Sequence, residues 1–294
     1  MNLDEYLNQR LRLIDDALES LLPAVAGQPG RLREAMRYGV FSGGKRIRPI
    51  IALAAAEAVG GNMSDALPAA CAIELIHAFS LIHDDLPCMD DDDLRRGKPT
   101  SHKVFGEATA LLAADGLFAL AFDTLAHAPE SVPDGAVLEA VRILAGATGP
   151  AGMVGGQVLD LEAEGKDVTV ADVERIHRGK TGALIEAAAL IGGIIGGGDK
   201  AQIETLGRYG RAIGLAFQIV DDLLESVGDE EKLGKSAQSD LKRRKATYPA
   251  VAGVEESARA AERHCQQAAQ ELSSFEESAE PLRRIARLIV EREV

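Results

Sequence analysis

Two clusters of acidic residues offer the chain's clearest chemistry. In the first, Asp84 and Asp85 end the apolar run Cys71 to Ile82, Asp90 to Asp93 follow, and Arg95 and Arg96 come directly after. In the second, Asp221 and Asp222 end the apolar run Ile213 to Val220, with Glu225 one helical turn further on. Like charges a few Å apart repel even in water, so such clusters need cations. An all-oxygen donor set suits a hard ion, magnesium in particular, which takes a few carboxylates and shares the oxygens of a substrate phosphate. A run of charges is more often a solvated turn. Here each cluster ends a segment too apolar for a surface loop, which puts the acids at the mouths of buried helices. The candidate metal-ligating residues are therefore Asp84, Asp85, Asp90, Asp221, Asp222 and Glu225.

Their spacing has consequences. Asp221 and Glu225, four apart, share a helix face, with Asp222 beside them. Asp84 and Asp90 are six apart, about 240° round a regular helix, so they converge only if the helix bends. Pro87 lies between them and supplies the bend, because it removes a backbone donor and crowds the turn before it. Two such mouths facing each other across a helix bundle would hold magnesium on a diphosphate. The remaining anionic charge needs cations, and Arg95, Lys180 and Lys235 are available for a metal-bound diphosphate. Lys45, Arg48 and Arg96 would serve a second, metal-free one. Of these, Lys45 and Arg48 sit in the glycine-flanked turn Gly43 to Pro49, where backbone and side chains can close on a phosphate. Taken alone, that turn reads equally well as a solvated loop. His77, two turns before Asp84, can face the same cavity, although a lone histidine in an apolar run is more often a core residue. Two diphosphates above an apolar pocket point to prenyl substrates.

The elements that must position these residues read as helices throughout. Leu3, Leu7, Leu11, Ile14, Leu18 and Leu21 mark an amphipathic helix. Others are expected over Arg31 to Tyr38, from Pro49 as a favoured first residue to Val59, and from a Ser64 N-cap through Leu67 to about Leu86. Further helices are expected over Glu107 to Leu125, Ala136 to Leu144, Ala183 to Ile195 and Ala201 to Asp222, with two more in the tail. No β-alternation and no linker appear, so residues 1–294 read as one all-α domain. The formal charge of −14 argues against a nucleic-acid partner. Cys71, Cys88 and Cys265 lack paired spacing, which fits reduced thiols. Met1 to Tyr6 has no signal-peptide pattern, and no stretch of about 18 uninterrupted apolar residues suggests a membrane span. A cytoplasmic protein is the expectation.

Taken in order, Gly43 to Pro49, Asp84-Asp85 with Asp90, Arg95-Arg96, Gly155-Gly156-Gln157, Lys180-Thr181, Phe217-Gln218 with Asp221-Asp222, and Lys235 form a specific set. Over essentially its whole length the chain resembles the trans-isoprenyl diphosphate synthases, and in particular bacterial-type farnesyl diphosphate synthases. The resemblance implies an isoprenoid synthase-type bundle of ten or more helices around a central apolar cavity, usually in a homodimer. It implies three magnesium ions, with manganese as the alternative: two on Asp84, Asp85 and Asp90, and a third on Asp221. Arg95, Lys180, Gln218 and Lys235 would help hold an allylic diphosphate, dimethylallyl or geranyl. Lys45, Arg48, His77 and Arg96 would hold isopentenyl diphosphate. Ionisation would give an allylic cation stabilised by the Lys180 carbonyl and the Thr181 hydroxyl, condensation would follow, and the released diphosphate would take the final proton. In this family an aromatic residue five before the first aspartate goes with fifteen-carbon products, so Phe79, with Ser80 beside it, is implicated in chain length.

Glu225 departs from the family pattern, which has aspartate there. Synthases of geranylgeranyl or geranyl diphosphate are the nearest alternatives. A terpene cyclase would have no use for Lys45, Arg48 and Arg96, and a non-catalytic partner subunit would be expected to have lost one acid motif. A calcium-binding loop would show a regular alternation of acids that is missing here.

Overall fold

A computed structural model describes residues 2–22, 30–227 and 245–290, and these are almost wholly helical. Helix α1 (Leu3–Leu21) begins where the Asn2 side chain accepts from the backbone N–H groups of Asp4 and Glu5, with acids in its first turn. Helices α2 (Gly30–Val40) and α3 (Ile47–Ala58) flank the basic turn. The start of α3 differs from the sequence expectation. Its N-cap is Arg46 in the left-handed region (φ 50°), so Pro49 is the third helical residue and not the first. Helix α4 (Met63–Asp84) is capped by Asn62, whose side chain accepts from the Ser64 N–H at 3.0 Å; Ser64 is inside the helix and does not cap it.

Helix α4 carries the core. Ile73, Leu75 and Ile76 are fully buried, and it packs on α3, α6 (Glu107–Ala126) and α10 (Ala183–Ile195). Between α4 and α6 the chain makes a two-residue antiparallel ladder, Leu94–Arg95 against Lys98–Pro99, and the short helix α5 (Ser101–Phe105). Alternation over two residues is too short to read from sequence, but its turn is legible in hindsight. Arg96 and Gly97 both take positive φ (53° and 75°), as a two-residue hairpin of this hand requires.

Helices α7 (Asp134–Thr148), α8 (Met153–Ala163) and α9 (Val170–His177) follow. A π-helical turn, Arg178–Gly182, joins α9 to α10. Helix α11 (Lys200–Val227) carries the second acid motif, and it packs against α10 and against α13 (Val254–Glu271). Before α13 comes the short α12 (Tyr248–Ala252), and α14 (Glu280–Val290) ends the described chain.

Although no uninterrupted apolar run reaches membrane length, α4, α6 and the segment Asp134–Ala163 are long and apolar enough to cross a membrane by length and composition. The apolarity of α4 is accounted for by the bundle, which buries 67% of its most apolar window. In α6, one face built from Ala110, Ala113, Ala114, Leu117 and Ala121 is buried, while Leu111 and Leu112 on the other remain exposed. Cys71, Cys88 and Cys265 are unpaired.

Candidate active site

A cavity of about 1280 Å³ lies where the ends of α4 and α11 face each other. Asp84 and Asp90 line one side, and Asp221 and Glu225 the other. The convergence of Asp84 and Asp90 does not come from a bend at Pro87. Helix α4 ends at Asp84, and the chain folds back so that the Asp90 N–H donates to the Asp84 carbonyl at 2.8 Å. The Asp91 N–H donates to the Leu86 carbonyl at 3.1 Å, with Asp91 itself at φ 51°. A helix terminus leaves carbonyls without intrahelical partners, and this turn uses one of them to bring the second acid back.

Two of the six candidate acids do not face the cavity in this way. Asp85 is 4% exposed and off the cavity wall. Its Oδ1 accepts from Arg95 Nε at 2.7 Å and Nη2 at 2.6 Å. Asp222 touches the cavity but is also 4% exposed, and internal partners occupy both its oxygens. Gln218 Nε2 donates to one at 3.0 Å, and the Tyr248 N–H donates to the other at 2.7 Å, with His177 Nε2 at 3.2 Å. The physical reason is helical: adjacent residues point about 100° apart, so one of each pair faces the mouth and the other turns into the bundle.

Among the described residues, no three such side chains surround a common point. Asp84, Asp90, Asp221 and Glu225 nonetheless fit magnesium in their chemistry, being hard oxygens on opposite sides of one opening. That ion typically takes only one or two carboxylates and completes its shell with water and phosphate.

The cationic side of the cavity is built on a close helix crossing. A Cβ on Gly156 would lie 2.0 Å from the Lys180 backbone nitrogen, so only glycine lets α8 touch the π-helical turn. This contact sets Lys180 Nζ 2.6 Å from Asp160 Oδ2. Burial works against the Lys180 charge, but Asp160, then Asp84 and Asp90, outweigh it and hold the ammonium above its ordinary pKa. Gln157, one turn before Asp160, is buried at the cavity wall with both amide atoms lacking a protein partner. Lys245 Nζ lies 3.3 Å from Asp90 Oδ2. Asp160 and Lys245 were not singled out from sequence. Asp160 lies one helical turn after Gln157, the last residue of the Gly155-Gly156-Gln157 stretch, and nothing local distinguishes Lys245 among its basic neighbours. Lys235 lies outside the described residues.

A second cation set adjoins this one. Arg48, His77, Arg95 and Arg96 line the cavity. Arg48 Nη1 is 3.5 Å from His77 Nε2, and its guanidinium lies over the Phe217 ring at 5.6 Å. Burial, followed by Arg48, Arg96 and Arg95, holds the His77 imidazole well below its usual pKa, so it is neutral at pH 7 and can accept from Arg48. Gly44 (φ 133°) forms the cradle for Arg96, since a Cβ there would meet the guanidinium at 2.5 Å. Lys45 is exposed on this turn and off the cavity wall. Arg46 is buried, bonded to Glu74 at 2.7 Å, Asp15 at 2.9 Å and the Val40 carbonyl at 2.8 Å, which fastens the turn to α4.

Deeper in, the wall turns apolar with Leu161 and Leu184. Phe79 and Ser80 line it from α4. The Phe79 ring meets His83 at 4.6 Å and Phe118 at 5.1 Å, edge-on in both cases, while Ser80 Oγ donates to the His77 carbonyl at 2.8 Å. Thr181 Oγ1, from the π-helical turn, donates to Gln218 Oε1 at 2.6 Å.

Known proteins share this arrangement of helices. The sequence matches the Polyprenyl synthetase family over residues 29–285. It is 47% identical over 292 residues to a geranylgeranyl diphosphate synthase of Cyanophora paradoxa, with 99% of this chain and 97% of that protein covered. It is 46% identical over 276 residues to a farnesyl diphosphate synthase of Geobacillus stearothermophilus, covering 91% and 93%. The crystal structure of geranylgeranyl pyrophosphate synthetase from Pyrococcus horikoshii superposes with a TM-score of 0.90 at 35% identity, over 99% of this chain and 98% of that one. An acid-lined mouth, two cation sets and an apolar interior, on a helical bundle common to these proteins, make this chain a trans-prenyltransferase of the polyprenyl synthetase family.

Proposed function

We propose that the protein condenses isopentenyl diphosphate with dimethylallyl and then geranyl diphosphate, stopping at (2E,6E)-farnesyl diphosphate. The observation that carries the fifteen-carbon stop is Phe79, an aromatic ring on the cavity wall five residues below the first acid, buttressed by Phe118. Asp84, Asp90, Asp221 and Glu225 would hold magnesium, which when bound neutralises diphosphate charge and improves it as a leaving group. Lys180, Lys245 and Arg95 hold the allylic diphosphate, so that the carbon–oxygen bond breaks with the electron pair leaving on oxygen. Arg48, Arg96 and the neutral His77 orient isopentenyl diphosphate so that its double bond meets the resulting cation. Holding both reactants in one cavity removes most of the entropy cost of their encounter. The apolar part of the wall disfavours water beside the cation. The released diphosphate then takes a proton from the carbon next to the new cation, and that C–H electron pair becomes the new double bond.

A second reading has more support by name: two of the three proteins above are named for a geranylgeranyl product and one for farnesyl, the two relatives compared by sequence at nearly the same identity. Incubation with dimethylallyl and isopentenyl diphosphates plus magnesium, followed by dephosphorylation and chromatographic sizing, decides between them. A dominant fifteen-carbon alcohol is expected. A dominant twenty-carbon alcohol would replace the farnesyl reading with the geranylgeranyl one, and no elongated product would remove both.

The division of the cations is testable in the same assay. Arg96→Ala removes a charged contact to the metal-free diphosphate, and such contacts contribute about 1.5–3 kcal/mol. The KM for isopentenyl diphosphate should therefore rise on the order of 10-fold or more, with a smaller change for the allylic substrate. Equal changes in both constants would refute the division. We further infer a homodimer in the cytoplasm. Leu111 and Leu112 of α6 with Leu138 of α7 are exposed large apolar side chains, which favours a covering partner.

A further inference from the structure

Asp222 accepts one hydrogen bond on each oxygen, with His177 Nε2 3.2 Å from one of them, and the identity of the two donors constrains a hydrogen-bond chain that ends at the cavity. The Tyr248 partner is a backbone N–H, which can only donate, and it fixes one Asp222 oxygen as an acceptor at 2.7 Å. The other oxygen, also an acceptor, takes the Gln218 amide N–H at 3.0 Å. With its NH₂ group committed there, Gln218 presents its carbonyl oxygen to Thr181, 2.6 Å away. The Thr181 hydroxyl must then spend its single proton on Gln218, and what it offers the cavity is oxygen lone pairs. Thr181 is 7% exposed and lines the cavity.

We propose that Asp222 is a positioning residue: it sets the direction of the hydrogen bonds through Gln218 so that Thr181 presents its oxygen, and not its proton, to a developing carbocation. The proposal rests on the prenyltransferase reading and adds to it. A hydroxyl dipole with its negative end toward the cation stabilises the transition state, and the reversed dipole destabilises it. A carboxylate is the side chain that enforces this direction, because it cannot donate. An asparagine of the same shape must turn its own oxygen toward the Tyr248 N–H and its NH₂ toward Gln218. That flips the Gln218 amide, makes it the donor to Thr181, and frees the Thr181 proton to face the cavity.

The test is a double-mutant cycle on the full-length enzyme with dimethylallyl and isopentenyl diphosphates, after wild-type condensation has been demonstrated. Wild type failing to condense would strike the functional reading, whereas the outcomes below bear on the chain of hydrogen bonds alone. Asp222→Asn should lower kcat on the order of 10- to 100-fold, leave both KM values within a few fold, and leave the magnesium activation curve in place. Asp221→Asn, as the control for a metal-facing acid, should shift that curve to higher magnesium. Thr181→Val should lower kcat to a similar degree, with Thr181→Ser restoring most of it. In the Thr181→Val background, Asp222→Asn should cost little more, since residues acting through one chain are not additive. Full additivity would overturn the proposal, and so would a magnesium shift in Asp222→Asn as large as that of Asp221→Asn. Should Asp222→Asn fold poorly by thermal melting, Thr181→Val against Thr181→Ser still decides: equal kcat in the two would show that the hydroxyl plays no part.

Discussion

Asp84→Asn is expected to reduce turnover on the order of 10³-fold or more while leaving the fold at least as stable in the absence of metal. Both halves follow from where Asp84 sits. It ends α4 at the mouth of the cavity, and the Asp90 N–H bonded to its carbonyl brings a second carboxylate alongside. That backbone bond survives the substitution, so the turn keeps its shape. Carboxylates clustered at one mouth repel each other, and without metal Lys180 and Lys245 are expected to offset that cost only in part, so neutralising Asp84 relieves some of it. The same change removes a hard oxygen from the set facing diphosphate. Steady-state turnover with saturating substrates reads the first half, and thermal melting in a chelator reads the second. Wild type should also gain thermal stability from magnesium plus inorganic diphosphate, because ligands that bind only the folded state stabilise it by mass action. Asp84→Asn should lose most of that gain. Near-normal turnover would remove Asp84 from the chemistry, and a large drop in melting temperature would make it a structural acid instead.

The second large effect is on product length. Phe79 lies five residues before Asp84 on α4, about 7.5 Å deeper at 1.5 Å per residue. Its ring packs edge-on against Phe118, which in turn meets Phe122 at 5.1 Å, so the aromatic wall is supported from α6. Phe79→Ala should open the wall and move the main product from fifteen to twenty carbons, at a stability cost on the order of 3 kcal/mol from the cavity left behind. Ser80→Phe should do the opposite. Ser80 also lines the cavity, one turn below Asp84, and a ring there would block the second condensation and leave ten carbons. Chromatography of the dephosphorylated products reads both variants. A Phe79→Ala enzyme that still stops at fifteen carbons with normal yield would show that the floor lies elsewhere. The farnesyl assignment would then lose its main support.

The sequence by itself determined much of the site. Apolar runs ending in aspartate predict buried helices with acids at their mouths, and α4 and α11 are such helices. The 3.6-residue period places Asp221 and Glu225 on one face, and both line the cavity. The glycines beside Lys45 mark a turn, although only the fold shows that Arg96 packs against it, and the aromatic at Phe79 is a local fact that needs no folding to read.

Other features were decided only by packing between distant segments. Periodicity says that Asp84 and Asp85, or Asp221 and Asp222, point apart, but which member faces the opening depends on what lies on the other side. For Asp85 that is Arg95, and for Asp222 it is Gln218, His177 and the Tyr248 backbone. Pro87 offered a bend, yet the helix simply ends, because the returning Asp90 N–H satisfies a terminal carbonyl that a continued helix would have used. Asp160 meets Lys180 because Gly156 lets two helical segments touch, a contact between residues that no local pattern links. Lys245 reaches Asp90 across 155 residues of chain. Local propensity sets which segments are helical and which face is apolar. The partner of each buried charge is set by desolvation, which obliges a charge taken into the bundle to find its counter-charge wherever the tertiary fold brings one.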